Sequence, residues 1–159
     1  MPVKSVLGER VGGRPTTYPK IPHQQLDQIS PMELQEELWR RMSGLDHVRT
    51  GPSVVSLPET RALHLEQEHA FGPGTAFMRD STEFAHLHGL LDGSLHVSLP
   101  ESDAAEAVAK GWAEMHPVVH DRGHPPTLVM LYGPRDEAEL ETVWELVRRS
   151  HAYASGQIL

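Results

Sequence analysis

The sequence predicts an α+β fold: a single domain built on a mainly antiparallel β-sheet, with helices packed on one face and an extended N-terminal arm. Three observations carry this expectation. Short runs between residues 49 and 132 alternate in polarity and are separated by turns rich in Gly, Pro and Asp, the pattern of antiparallel neighbours. Amphipathic helical stretches lie before and after these runs, which places helices beside a sheet. The first 29 residues show neither period. The expected organisation is therefore an arm over 1–29 and an α+β domain over 30–159. A chain of 159 residues can build one sizeable core.

The arm is rich in Gly, Pro, Thr and Gln, as in GGRPTTYPKIPHQQLDQ, and has little to bury. An extended or irregular wrap is expected there. Ser30 then reads as an N-cap, with Pro31 in the first turn and Glu33 completing a capping box. Leu34, Leu38, Trp39, Met42 and Leu45 follow at helical spacing, and Gly44 marks the end. Trp39 is expected to be core packing. Short strands are predicted at Ser53–Leu57, Leu63–Glu66 and Thr75–Arg79, with turns at Pro58-Glu59 and Gly72-Pro73-Gly74. His64 falls on a polar face, and His69 beside a Gly-Pro loop reads as surface.

Residues 82–100, TEFAHLHGLLDGSLHVSLP, form the centre of the pattern and read as a β-hairpin around Asp92-Gly93. A two-residue turn would put His88 and His96 on opposite faces. A three-residue loop, Leu91-Asp92-Gly93 with Gly93 left-handed, sets His88 opposite His96 with His86 on the same side. It leaves Ala85, Leu87, Leu95, Val97 and Leu99 on an apolar face, and this clean separation favours the three-residue loop. Beyond the hairpin, Ser102 or Asp103 can cap a short Ala-rich helix that stops at Gly111. Trp112, Glu114 and His116 alternate and share a face if extended. His120 and His124 sit in a polar loop, expected to be exposed. Thr127–Tyr132 is a β-prone strand, and a last helix from about Asp136 to Ala154 carries Leu140, Val143, Trp144 and Val147 on one stripe.

Composition narrows the function classes. The formal net charge is −8, from 14 Lys and Arg against 22 Asp and Glu, and no basic run or basic–aromatic alternation occurs, so nucleic acid is not an expected partner. There is no cysteine, which excludes disulfides, thiolate metal sites and Cys nucleophiles. No apolar run approaches a membrane span and no signal-peptide core is visible, so a soluble, cytoplasmic protein is expected.

Among the eleven histidines, His86-x-His88, His96 and His116 are the candidates for chemistry. Paired strand histidines facing a third could hold a metal, with His88, His96 and His116 as its ligands. They could equally form a set of general bases near neutral pH. The plain alternative is that they fill a sheet face. Arg135 at the start of the last helix could form an anion site. Trp112 and Tyr132 could wall a pocket for a flat ligand, or simply be core.

Several of these residues together resemble the fungal luciferase family: Glu83-x-Ala85-His86-x-His88, Asp92-x-Ser94-Leu95-His96, Lys110-Gly111-Trp112, His116-Pro117 and Leu131-Tyr132-x-Pro134-Arg135, with an acidic helix behind them. The GGRP at 12–15 and Gln25-Leu26-x-Gln28 are similar to that family's arm. The resemblance implies an oxygenase. Mushroom luciferases oxidise 3-hydroxyhispidin, a styryl hydroxypyrone, with molecular oxygen through an endoperoxide that loses carbon dioxide and leaves an excited product. It implies no flavin, ATP or other organic cofactor, and leaves a transition metal open. The expected partners are a small enolisable substrate and O2, with no membrane, because the family's N-terminal membrane segment has no counterpart here. The catalytic set expected is His86, His88, His96, His116 and Arg135. Trp112, Glu114, Tyr132 and Glu83 are expected on the substrate side, Glu83 in support because strand alternation turns it away from His86. A histidine near its ordinary pKa of ~6.5 would take the enol proton. Two other classes stay open: a metal-dependent enzyme, and a non-catalytic binder of a planar metabolite.

Overall fold

The sheet expected from the alternating runs forms, and its two faces differ in chemistry. The computed structural model describes residues 4–157. In chain order these form α1 (Met32–Ser43), β1 (Val48–Pro52), β2 (Arg61–Leu65), β3 (Glu83–Leu87), β4 (Leu95–Ser98), α2 (Glu101–Ala109), β5 (Ala113–Met115), α3 (Pro117–Asp121), β6 (Leu128–Leu131) and α4 (Glu137–Ala154). The strands build one open six-stranded sheet in the order β1-β2-β3-β4-β6-β5, antiparallel at every step.

One face is the core. Leu63, Ala85, Leu87, Leu95, Val97, Val129 and Leu131 pack against Leu38 and Met42 of α1, Ala104 and Ala107 of α2, and Leu140, Val143, Leu146 and Val147 of α4. Each buried Leu or Val contributes roughly 1.5–3 kcal/mol relative to exposure. The helices therefore lie on one side, as the fold class requires. Among the described residues no helix is long and apolar enough to cross a membrane.

The arm begins on the helical side, where Leu7 joins the core, and its later part lies over the other face. Residues 4–29 form no helix; an isolated bridge pairs Thr17 with Gln25, and His23 and Gln25 are buried. Gln25 accepts from the Gly133 backbone N–H, tying the arm to the end of β6.

Local capping departs from expectation at two helices. Pro31, not Ser30, occupies the cap of α1, and the buried Ser30 hydroxyl donates instead to the Pro134 carbonyl. Pro100 occupies the cap of α2, and Asp103 lies inside the helix, paired with Lys4 and Arg149. In α4 the Asp136 side chain accepts from the Glu139 N–H, a regular N-cap.

Two predicted strands are not strands. Over 53–57 the Ser53 hydroxyl accepts from Val55 and Ser56 N–H, and Val54 N–H goes to the Glu83 carboxylate, so these backbone donors are withdrawn from any ladder. The edge strand is Val48–Pro52 instead. The 75–79 run is broken by a 3-10 turn at Gly74–Ala76 after Pro73.

The hairpin loop is longer than expected. His86 pairs with His96 and Leu87 with Leu95, and His88 N–H reaches the Ser94 carbonyl, so the loop is Gly89–Gly93 rather than Leu91–Gly93. The extra residues let the Asp92 carboxylate accept from the Ser94 N–H and hydroxyl. Gly93 is left-handed at φ +72, as expected. The slip is an even number of residues, so His86, His88 and His96 still share one face.

Candidate active site

His86 on β3, His88 just past its end and His96 on β4 project from one face, and all three are buried. His86 Nε2 and His88 Nε2 each lie 3.1 Å from Nδ1 of His96. Two more histidines complete the cluster from other elements. His116, at the end of β5, packs edge-on against His96 with ring centres 4.6 Å apart. His23, from the arm, stacks on His96 and places Nδ1 2.9 Å from its Nε2.

Carboxylates hold the outer sides of these rings. Glu83, fully buried, accepts from His86 Nδ1 at 2.7 Å. Strand alternation had turned Glu83 the other way. Between Leu63 and His64 the β2 partner jumps from Ala85 to Glu83, so Phe84 is an extra residue in β3. This bulge sends Phe84 and Ala85 both into the core and brings Glu83 to the histidine face. His88 Nδ1 lies 2.9 Å from the Ser94 hydroxyl and 3.4 Å from Asp92. Glu114 takes His23 Nε2 at 2.8 Å and also accepts from Tyr132 and Thr17.

These contacts define where the protons sit. Glu83 must accept, so His86 carries its proton on Nδ1 and shows a lone pair at Nε2. The Ser94 hydroxyl donates to Asp92, so it accepts from His88 Nδ1, and His88 Nε2 is also a lone pair. Glu114 accepts from His23 Nε2, so His23, when neutral, offers Nδ1 as an acceptor to His96 Nε2–H. Neutral His96 then has a lone pair at Nδ1. Three lone pairs face one another. His116 differs: its Nδ1 accepts from the Val118 N–H, so the neutral ring keeps its proton on Nε2 as a donor.

Burial sets the electrostatics. It lowers His86, against the opposing pull of Glu83. Burial, and then repulsion from His88, His86, His116 and His23, holds His96 well below the ordinary range. His116 falls to about 4, through burial and the neighbouring histidines. The ordinary histidine value expected from sequence is thus displaced downward, because several imidazoles share one dry site. Burial alone would raise Glu83 and Glu114, but the hydrogen bonds they accept, first from His86 and His23, outweigh it and hold both low. Burial and Glu114 push Tyr132 up to about 12, against the pull of Arg14.

The cluster forms the floor of a cavity of about 1260 Å³. Ile21, Pro22 and Leu26 of the arm, Val55 and Leu57, Phe77 and Met78, and Leu90 and Leu91 of the hairpin loop form its apolar walls. The 118–128 segment contributes Val118, Arg122, His124 and Leu128. His124, expected to be exposed, is half-buried at this wall, whereas His120 is exposed.

The remaining sequence-derived candidates lie elsewhere. Arg135 is paired with Glu139 and donates to Gln28 and the Val11 carbonyl, outside the cavity. Trp112 gives its indole N–H to the Gly8 carbonyl, and its ring joins the core. Tyr132 is buried behind Glu114. Glu114 reaches the cluster through His23. Sequence reasoning does not find His23, because it lies in an arm without period; its one signal is its place beside Gln25-Leu26-x-Gln28. Nor does it find the Asp92–Ser94 support of His88.

A carboxylate-braced histidine cluster at the floor of a cavity has the chemistry for proton transfer or metal ligation. Residues 81–150 match the model of the Luciferase domain family. Proteins named Luciferase from Armillaria ostoyae, Armillaria gallica and Neonothopanus nambi are 38%, 36% and 36% identical to this chain over 77 residues. That segment is 47% of this chain and 29% of each of theirs, so the chain spans under a third of the length of these relatives. The resemblance expected from the motifs is confirmed over residues 81–150, which contain His86, His88, His96 and His116. No solved structure matches the chain.

Proposed function

We propose that this protein is a luciferase-like oxygenase that adds molecular oxygen to a small enolisable hydroxypyrone or polyphenol of the 3-hydroxyhispidin kind, with no organic cofactor. The observation that carries the reading is the set of three facing imidazole lone pairs under an apolar cavity, in the stretch that resembles the luciferases. Oxygen reacts readily with an organic substrate only when the substrate is electron-rich, and loss of an enol proton makes it so. The imidazole lone pairs are the acceptors for that proton. His116, which lines the cavity and keeps its proton on Nε2, would donate to the oxyanion that develops. The apolar wall residues suit the flat body of such a substrate, which would itself cover the peroxide formed when oxygen adds. Decarboxylation and light emission belong to the same reading as the fate of that peroxide.

Oxygen uptake on a hydroxypyrone tests it. Wild-type protein is expected to consume oxygen with saturation in substrate. A protein that binds the pyrone without oxygen uptake would instead be a binder of planar metabolites.

A further inference from the structure

We infer that His86 Nε2, His88 Nε2 and His96 Nδ1 form a binding site for one divalent first-row transition-metal ion. This deepens the reading above at the same site and rests on it only for what the ion would serve: with an ion bound the three nitrogens would be its ligands, and the ion, not a free ring, would make the enol acidic. Three observations carry the inference.

The first is distance. Three nitrogens bound tetrahedrally to an ion at ~2.0–2.1 Å lie about 3.4 Å apart. Here two of the three pairs are 3.1 Å apart, and all three nitrogens lie within 4.8 Å of one another. Small ring rotations complete the geometry. The second is the proton count. Every nitrogen has a neighbour in reach, yet the outer partners claim the protons of all three rings, through Glu83, Ser94 and His23. Three lone pairs facing one another in a buried space repel unless a cation lies between them. The third is the outer support. A metal-binding histidine almost always gives its other N–H to a carboxylate, a carbonyl or water. His86 gives it to Glu83, and His88 to a Ser94 hydroxyl backed by Asp92.

The donor set selects the class of ion. Three neutral imidazoles suit zinc, iron, cobalt, nickel or copper, and not the oxygen-seeking magnesium or calcium. The floor of the cavity leaves open positions on the ion for an oxygen ligand. His116 stays outside the ligand set, because its Nδ1 is held by the Val118 N–H and its Nε2 carries the proton. Two other trios compete: His23, His96 and His116, where His116 Nδ1 is taken up by the Val118 N–H, and the surface trio His47, Glu66 and His69, whose two rings stack at 3.4 Å instead of converging.

The test uses the untagged full chain, stripped with a chelator and titrated with Co2+, then Zn2+. One equivalent of Co2+ with visible d–d absorption, displaced by Zn2+, is expected. His88→Ala should lower the affinity at least ~100-fold, and Glu83→Gln by about 10–100-fold. The double variant His47→Ala/His69→Ala should bind as wild type. His88→Asn, checked by circular dichroism, guards against loss through misfolding. Absence of a stoichiometric site, binding retained in both His88 variants, or binding lost in the His47/His69 variant overturns the inference. Oxygen uptake on the stripped and on the ion-loaded protein separates the two readings. A protein that binds the ion but consumes no oxygen keeps the site and loses the oxygenase; one that binds none and consumes oxygen at full rate does the reverse.

Discussion

Two buried polar clusters lie on opposite faces of the sheet, and they are built on opposite principles. On the helical side the fully buried Arg149 of α4 reaches Asp103, Glu106 and Glu145, and donates to the Ser5 carbonyl. Lys4, Lys110 and Arg148 approach the same carboxylates from outside. Each acceptor there faces a donor. Such a cluster has nothing left to offer a ligand, and its work is to fasten α2 and the arm to α4. On the other side the outer rim is equally well paired, but the centre is not: His86, His88 and His96 present lone pairs to one another. The contrast teaches that burial of polar groups does not by itself mark a site. What marks it is an unmet demand for a proton or a cation, held in place by neighbours whose own demands are met.

The contrast can be broken most forcefully at its two centres. His96→Gln should lower oxygen uptake by about 10²–10⁴-fold while the chain still folds, the usual loss for a positioned proton acceptor. If uptake is unchanged, the cluster is as structural as that of Arg149. Arg149→Met should do the converse. Asp103, Glu106 and Glu145 would keep only their outer partners Lys4, Lys110 and Arg148, and losing the buried cation should cost up to about 3 kcal/mol, read in urea unfolding, with the rate per folded molecule unaltered. A loss of turnover without loss of stability would show that the helical cluster is not purely a fastening.

Acid should find the histidine side first. Burial and mutual repulsion lower His86, His96 and His116, the last to about 4. Below pH ~6.5 the unfolded chain takes up protons that the folded rings do not, so the unfolded state binds more protons and stability falls with pH. The decline should begin near pH 6.5 and continue to about 4 on account of His116. Glu83 and Glu114, also held low, extend it further down. Thermal unfolding between pH 8 and 4 checks this, and a flat profile down to pH 5 would contradict it. Glu83→Gln sharpens the same point. Removing the charge behind His86 should reduce turnover per folded molecule by about 10–100-fold. The smallest effect is expected at His120, exposed and outside the cavity: His120→Gln should stay within about 0.5 kcal/mol and leave oxygen uptake unchanged.

Much of this protein is set by its sequence. The period-2 pattern of 83–99 assigns Ala85, Leu87, Leu95 and Val97 to the core and the three histidines to the other face. An even slip in the loop could not disturb that, since parity is all that alternation requires. The helical stripe of α4 is equally legible, because amphipathic period is local. Tertiary structure decided what local pattern cannot carry. Phe84 became a bulge and turned Glu83 toward His86, an outcome set by how β2 and β3 fit together. The Ser53 hydroxyl and Val54 N–H turned to the Glu83 carboxylate, so that a β-prone run became a loop. Arg135 found Glu139 and left the site. Above all, His23 came down from an arm with no period of its own to bridge His96 and Glu114. Such meetings join residues far apart in the chain. They are chosen by burial and by the pairing of buried donors with acceptors, forces that act only once the chain has closed on itself.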